Sequence, residues 1–158
     1  MVIYYEPFGF TNVLSKRYIM KPENIASAQQ SFLKDIIERY QFKVTGHLIY
    51  MIEPTLNETI AVKFMIPIKD HGIQKVNSYR LDSYFGFEEA VCSRLSVKEL
   101  EENKENIYQT MREHCLKDGY DICSPIYFVS GNNRENPYYS LYAQIAPEKI
   151  VILNNELL

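Results

Sequence analysis

The chain has 158 residues, 46% hydrophobic and 23% charged, with a net charge of −3. These values fit one globular domain, or two half-size repeats sharing a core, and argue against disorder. They offer no broad basic field for a phosphate backbone, so nucleic acid is not an expected partner.

Phe8 to Met20 is rich in aromatic and β-branched residues and reads as a strand. Lys21-Pro22-Glu23 opens a helix, with proline at a favoured first position and an acid at the positive helix end. Ile25, Ala28, Phe32, Ile36 and Tyr40 follow at helical steps, and Leu33 and Ile37 widen that stripe. Phe42 to Ile52 reads as the next strand, Glu53 to Glu58 as a polar turn, and Thr59 to Ile68 as a strand. In the last of these, Ile60, Val62, Phe64 and Ile66 form the expected core face. Lys69 to Asn77 is a polar connection.

Tyr79 to Leu95 reads as one long or broken strand, bent near Gly86 or Glu88-Glu89. Ser96-Val97-Lys98-Glu99 is a capping box that starts a helix. Its apolar face carries Val97, Leu100, Ile107, Met111 and Cys115, with Lys104 interrupting, and Gly119 ends it. Ile122 to Ser130 is a strand, Ser130 to Pro137 a turn, and Tyr138 to Ala146 the last strand. The apolar Ile150 to Leu153 in the tail suits an edge strand or a docking segment.

The order strand–helix–strand–strand thus occurs twice, at about 8–68 and 79–147, followed by a tail from 148 to 158. Ser15-Lys16-Arg17 aligns with Cys92-Ser93-Arg94, Gly46 to Tyr50 with Ser124 to Phe128, and Phe64 to Pro67 with Gln144 to Pro147. The expected fold class is α+β, a tandem duplication with an antiparallel sheet and two helices on one face. It forms a single domain, with a cleft on the opposite side between the repeats.

Thirteen tyrosines and eight phenylalanines, with no tryptophan, supply candidates for that cleft. Tyr18, Tyr50, Phe64, Tyr84, Tyr127 and Tyr142 lie on the strands that would line it, suited to enclosing a flat ligand or an apolar peptide. Ordinary sheet packing is the competing reading for each. Glu53 and Glu58 are further candidate ligand-binding residues of the cleft, and they and the Glu88-Glu89 pair are candidate acid–base groups, set against simple solvation. His47, His71 and His114 lack metal-ligand spacing, so no metal is expected, and no cofactor motif occurs. Cys92, Cys115 and Cys123 are odd in number and without CxxC spacing, which fits reduced thiols. Cys92, although beside Arg94, reads as a small buried hydrophobe rather than an activated thiol. Lys16, Arg17 and Arg94 form small basic spots with a surface ion-pair role as the default. No apolar run approaches the ~20 residues of a membrane span, and Met1 to Pro7 does not resemble a secretory signal. The expected location is the cytoplasm, without a membrane partner.

The segments SKRY (Ser15 to Tyr18), the helix opened by Pro22, GHLIY (Gly46 to Tyr50), KFMIP (Lys63 to Pro67), SPIYFVS (Ser124 to Ser130) and SLYAQIAP (Ser140 to Pro147) carry a resemblance. The chain resembles the gyrase-inhibitor-like (GyrI-like) effector-binding fold over nearly its whole length. That resemblance implies a small-molecule-binding sensor domain. GyrI-like drug binders place a buried glutamate late in the second repeat. Tyr138 to Ile145 contains no acid, which argues against cationic drugs and against hydrolysis through that residue. The same SKRY, GHLIY, KFMIP and SPIYFVS segments are similar to a family of small Firmicutes proteins encoded beside LXG-type toxins of type VII secretion clusters. This implies a non-enzymatic accessory role, chaperone-like or immunity-related, with a toxin or secretion-system protein as partner. A small aromatic or apolar ligand is the alternative.

Overall fold

Strand-forming runs and two capped helical segments account for most of the chain. A computed structural model describes residues 1–55, 57–69, 78–131 and 137–149. Gly9–Phe85 form one compact unit, here the middle unit. Met1–Phe8 together with the chain from Gly86 onward form the other, here the terminal unit.

In the middle unit lie β3, Ile49–Pro54, and β4, Ile60–Pro67, together with β2, Phe8–Met20, from Gly9 onward and β5, Arg80–Phe87, as far as Phe85. A turn over Pro22–Asn24 leads into α1, Ile25–Lys34, which continues into a wider turn over Asp35–Arg39. β4 is central, paired antiparallel with β2 (Leu14 opposite Ile66) and with β3 (Tyr50 opposite Phe64). β5 lies beside β2. The expected core face of β4 is observed: Val62, Phe64 and Ile66 pack with Leu14 and with Phe32 and Ile36 of the helical segment, and Ile60 packs against them. Full burial of each such side chain contributes about 1.5–3 kcal/mol.

Two expectations need correction in this unit. Ile37 does not join the buried stripe but is 54% exposed. The wide turn, closed by Tyr40 N donating to Asp35 O and Phe42 N donating to Ile36 O, departs from the α-helical period and keeps only Ile36 inside. The strand expected from Phe42 begins only at Ile49. Before it, Thr45 N donates to Pro67 O, Val44 makes an isolated bridge to Ile68, and Gly46 lies against the Pro67 ring. The chain therefore crosses the end of β4 before it pairs alongside.

In the terminal unit, β1 spans Ile3–Tyr5, β6 Ala90–Ser96, β7 Tyr120–Ile122, β8 Tyr127–Ser130 and β9 Tyr138–Pro147. The helices are α2, Val97–Asn103, and α3, Ile107–Lys117. β9 is central, flanked by β6 and β8, and β1 pairs the far side of β6. Val91 and Leu95 of β6, and Leu141, Ala143 and Ile145 of β9, pack against Ile107, Met111 and Cys115 of α3.

The expected bend falls at Glu88-Glu89, between β5 and β6. Ser96 Oγ accepts from Glu99 N at 3.1 Å, as the capping box requires, and also donates to the Glu99 carboxylate. The helix breaks at Lys104, which divides the expected stripe and leaves Val97 exposed. Gly119 ends α3 with φ +81. The strand expected over Ile122 to Ser130 is interrupted as well. Cys123 N donates to Gln144 O, and Gln144 N donates to Ser124 Oγ, so this stretch, with Pro125 beyond it, bulges from the ladder.

The duplication is visible in the register. Leu14 faces Ile66 as Val91 faces Ala143, each residue 77 positions further on. Tyr50 faces Phe64 as Phe128 faces Leu141. Both units therefore repeat strand–helix–strand–strand with the last strand in the centre, and the chain is an α+β tandem duplication. The alignment of Phe64 to Pro67 with Gln144 to Pro147 is corrected by three positions: Phe64 faces the core, whereas Gln144 is exposed. The segments at 70–77 and 150–158, including His71 and the apolar tail, lie outside the described residues. Among the described residues no helix is long and apolar enough to cross a membrane.

Candidate functional site

On the terminal unit, strand alternation puts Tyr4, Cys92, Tyr142 and Tyr127 in one row across β1, β6, β9 and β8, on the face opposite α3. Phe8 stacks on Tyr142 at 4.5 Å and on Phe87 at 5.7 Å, and Tyr127 lies 5.5 Å from Phe87. Just past β1, Glu6 N donates to Ala90 O, and the Glu6 carboxylate accepts from the Tyr142 hydroxyl at 2.7 Å. Burial raises the Tyr142 phenol, and the bond to the Glu6 carboxylate raises it further. Burial also pushes the Cys92 thiol up to about 12, so Cys92 is the buried hydrophobe the sequence suggests and not an activated thiol.

Glu6 also borders a cavity of about 280 Å3 in the same unit. Tyr5 and Tyr120 form its aromatic walls, and Pro7, Ala90 and Ile145 its aliphatic ones. Glu88 and Glu89 reach it from the bend before β6 and are exposed, whereas Glu6 is half-buried. The hydroxyl of Tyr5 donates to Asp118 at the end of α3, which fixes β1 over the helix. The site thus offers aromatic faces, an aliphatic lining and carboxylates around a small concavity.

The aromatic residues anticipated from sequence divide by strand parity. Tyr127 and Tyr142 belong to the row on the terminal unit. Tyr18, Tyr50 and Phe64 lie under the helix of the middle unit: Phe64 is fully buried, and Tyr18 and Tyr50 pack against the same cluster. Their placement on the helix side differs from the expected position opposite the helices. Tyr18 meets Phe64 edge-on at 5.6 Å, and Lys16 Nζ lies 5.0 Å from the Tyr18 ring. Tyr84, 59% exposed on β5, covers Gly9 and borders a shallow depression in the middle unit with His47. Glu53 pairs with Arg17 at 3.6 Å on an exposed surface, and Glu58 is exposed in the bend after β3. Neither borders the cavity of the terminal unit. Among the described residues no cluster of three or more His, Cys, Asp or Glu is arranged to hold a metal.

A family model described as "Domain of unknown function (DUF5085)" matches residues 9–148. The chain belongs to this DUF5085 family. No curated protein matches it. Among solved structures, the EcmrR C-terminal domain is 13% identical with a TM-score of 0.59, covering 93% of this chain and 99% of that one. This chain spans only 57% of the EcmrR chain in its complex with DNA. SAV2435 bound to tetraphenylphosphonium is 10% identical with a TM-score of 0.58, covering 92% and 94%. A hydrolase from Listeria innocua is 9% identical with a TM-score of 0.57, covering 91% of each chain. Identities this low establish the fold alone. That fold is GyrI-like, as the sequence resemblance implied.

Proposed function

We propose that this DUF5085 protein is a non-enzymatic binding module for a small ligand with a flat or aromatic apolar body. The observation that carries the reading is the cavity of about 280 Å3 in the terminal unit, lined by Tyr5, Tyr120, Pro7, Ala90 and Ile145 with Glu6, Glu88 and Glu89 at its border. Concave sites with an apolar lining and a few fixed polar groups are where small molecules bind. The tetraphenylphosphonium complex of SAV2435 supports a ligand-binding role for this fold. Binding rather than catalysis is favoured because Glu53 is paired at the surface and Glu58 stands in solvent, while Glu88 and Glu89, which border the cavity, are exposed.

A thermal-shift series with tetraphenylphosphonium, benzyltrimethylammonium and neutral flat aromatics tests this reading. A ligand at 100 times its Kd stabilises the folded state by about 2.7 kcal/mol. An unchanged melting temperature across the series would contradict it.

A second reading is contact with a toxin or secretion-system protein, from the resemblance to proteins encoded beside LXG-type toxins. On its side is the apolar strip on the helix of the middle unit, where Leu33 and Ile37 border a shallow groove and Ile37 faces solvent. Co-purification with a co-expressed LXG toxin, lost on Ile37→Glu, is the expected result. Absence of co-purification would remove this reading.

A further inference from the structure

In the middle unit β2 runs past the end of its partner. It pairs β4 only from Val13, opposite Pro67, so Gly9 to Thr11 extend beyond that ladder. Asn12, just before the pairing, takes a left-handed φ of +53, and its carbonyl accepts from Ile68 N at 2.9 Å. The segment before β3 crosses the same end of β4, where Thr45 N donates to Pro67 O at 2.9 Å. These segments and Tyr84 of β5 enclose a depression of about 490 Å3, lined wholly by residues of the middle unit.

Two glycines set its shape. A Cβ on Gly46 would meet the Pro67 ring at 2.9 Å, so glycine lets this segment close on β4. A Cβ on Gly9 would meet the Tyr84 phenol, so glycine lets that ring lie over the overhanging strand while 59% exposed. Thr11, Thr45 and His47 stand exposed around the depression. Among the described residues, neither their side chains nor the Tyr84 hydroxyl makes an internal hydrogen bond. Four polar side chains thus converge with their hydrogen-bonding capacity free.

The lining narrows the class of ligand. No Lys, Arg, Asp or Glu borders the depression, so neither an anion nor a cation meets a fixed counter-charge. A purely apolar ligand would strip water from the hydroxyls and the imidazole without replacing those bonds. A pyranose suits both parts: its hydroxyls donate and accept at the edge, and its C–H face lies on an aromatic ring.

We propose that this depression is a binding site for a neutral saccharide, with the Tyr84 ring as the stacking platform and Thr11, Thr45 and His47 as the hydrogen-bonding rim. None of its residues borders the cavity of the terminal unit, so the site stands independently of the reading above.

Amide chemical shifts of the full chain, titrated separately with millimolar maltose, cellobiose and lactose, test the proposal. At least one sugar is expected to give saturable shifts at Gly9, Thr11, Gly46, His47 and Tyr84. Inorganic phosphate and 2-phenylethanol at the same concentrations are expected to give none there. Tyr84→Ala is expected to weaken the sugar about tenfold, with the melting temperature kept because the side chain is exposed. Gly9→Ala pushes the phenol aside and is expected to weaken it by a smaller factor. Should Tyr84→Ala fail to fold, Gly9→Ala decides alone. Absence of saturable shifts at these residues with all three sugars would overturn the proposal. So would phosphate or 2-phenylethanol binding there as tightly as the sugars, or unchanged sugar affinity in the folded variants.

Discussion

Tyr142 and Glu6 are joined by a hydrogen bond of 2.7 Å from phenol to carboxylate, across 136 positions of sequence. The bond ties the segment after β1 to the central strand of the terminal unit. A hydrogen bond to a charged group contributes about 1.5–3 kcal/mol, and the half-exposure of Glu6 puts this one at the low end. Tyr142→Phe is expected to lower unfolding free energy by about 1.5 kcal/mol in urea titration, with faster amide exchange at Glu6. Unchanged exchange there would show that the bond does not hold the segment.

Asp121 is the one buried carboxylate among the described residues, and it is fully engaged. Arg112 donates to it at 2.9 and 3.1 Å, and Ile122 N donates at 2.8 Å. The Arg112 bond lowers its pKa most, burial opposes, and the Ile122 amide lowers it further. A folded-state pKa below the unfolded value of about 3.9 stabilises the fold above that pH. The contribution fades as pH falls through the folded-state pKa. Asp121→Asn is expected to cost about 2 kcal/mol at pH 7, with the gap to wild type closing below pH 4. A gap independent of pH would contradict this.

Gly119 ends α3 at φ +81, a conformation that side chains with a Cβ resist, although nothing lies within 4 Å of the position a Cβ would take. Gly119→Ala is expected to destabilise by about 1 kcal/mol through backbone strain alone, and Gly119→Asn by less. Gly9 differs, since an added Cβ meets the Tyr84 hydroxyl, the far end of an exposed side chain that has room to swing aside. Gly9→Ala is expected to cost less than Gly119→Ala. Melting temperatures of the three variants check the order.

Phe64 separates packing from ligand binding. It is fully buried, stacked on Phe32 at 5.6 Å. Phe64→Ala is expected to cost about 3–5 kcal/mol. Any ligand loss should follow unfolding, with affinity retained in the folded fraction. Selective ligand loss with unchanged stability would move the site to the middle unit.

The contrast between Phe64 and Glu6 shows what sequence can and does not carry. Alternation in Ile60 to Ile66 already put Phe64 on the core face, and the fold bears this out. Tyr18 and Tyr50 share that side because strand pairing sets their parity against Phe64, and pairing is a tertiary fact. The helix stripes were legible over α1 and α3, and misled at Ile37, where the helix widens, and at Val97, where the helix breaks at Lys104. The strand over Cys123 to Ile126 was lost to Ser124 and Pro125, whose local bonding outweighs the propensity of their neighbours. Glu6 was illegible for a different reason. β1 has three residues, too few for alternation to register, and its meaning lies in a partner 136 positions away.

Amide chemical-shift mapping of the full chain, titrated with benzyltrimethylammonium, tests the central claim most directly. Saturable shifts are expected to concentrate at Tyr5, Glu6, Ala90, Tyr120 and Ile145, which border the cavity. Saturable shifts confined to the middle unit, or no shifts at millimolar ligand, would contradict it.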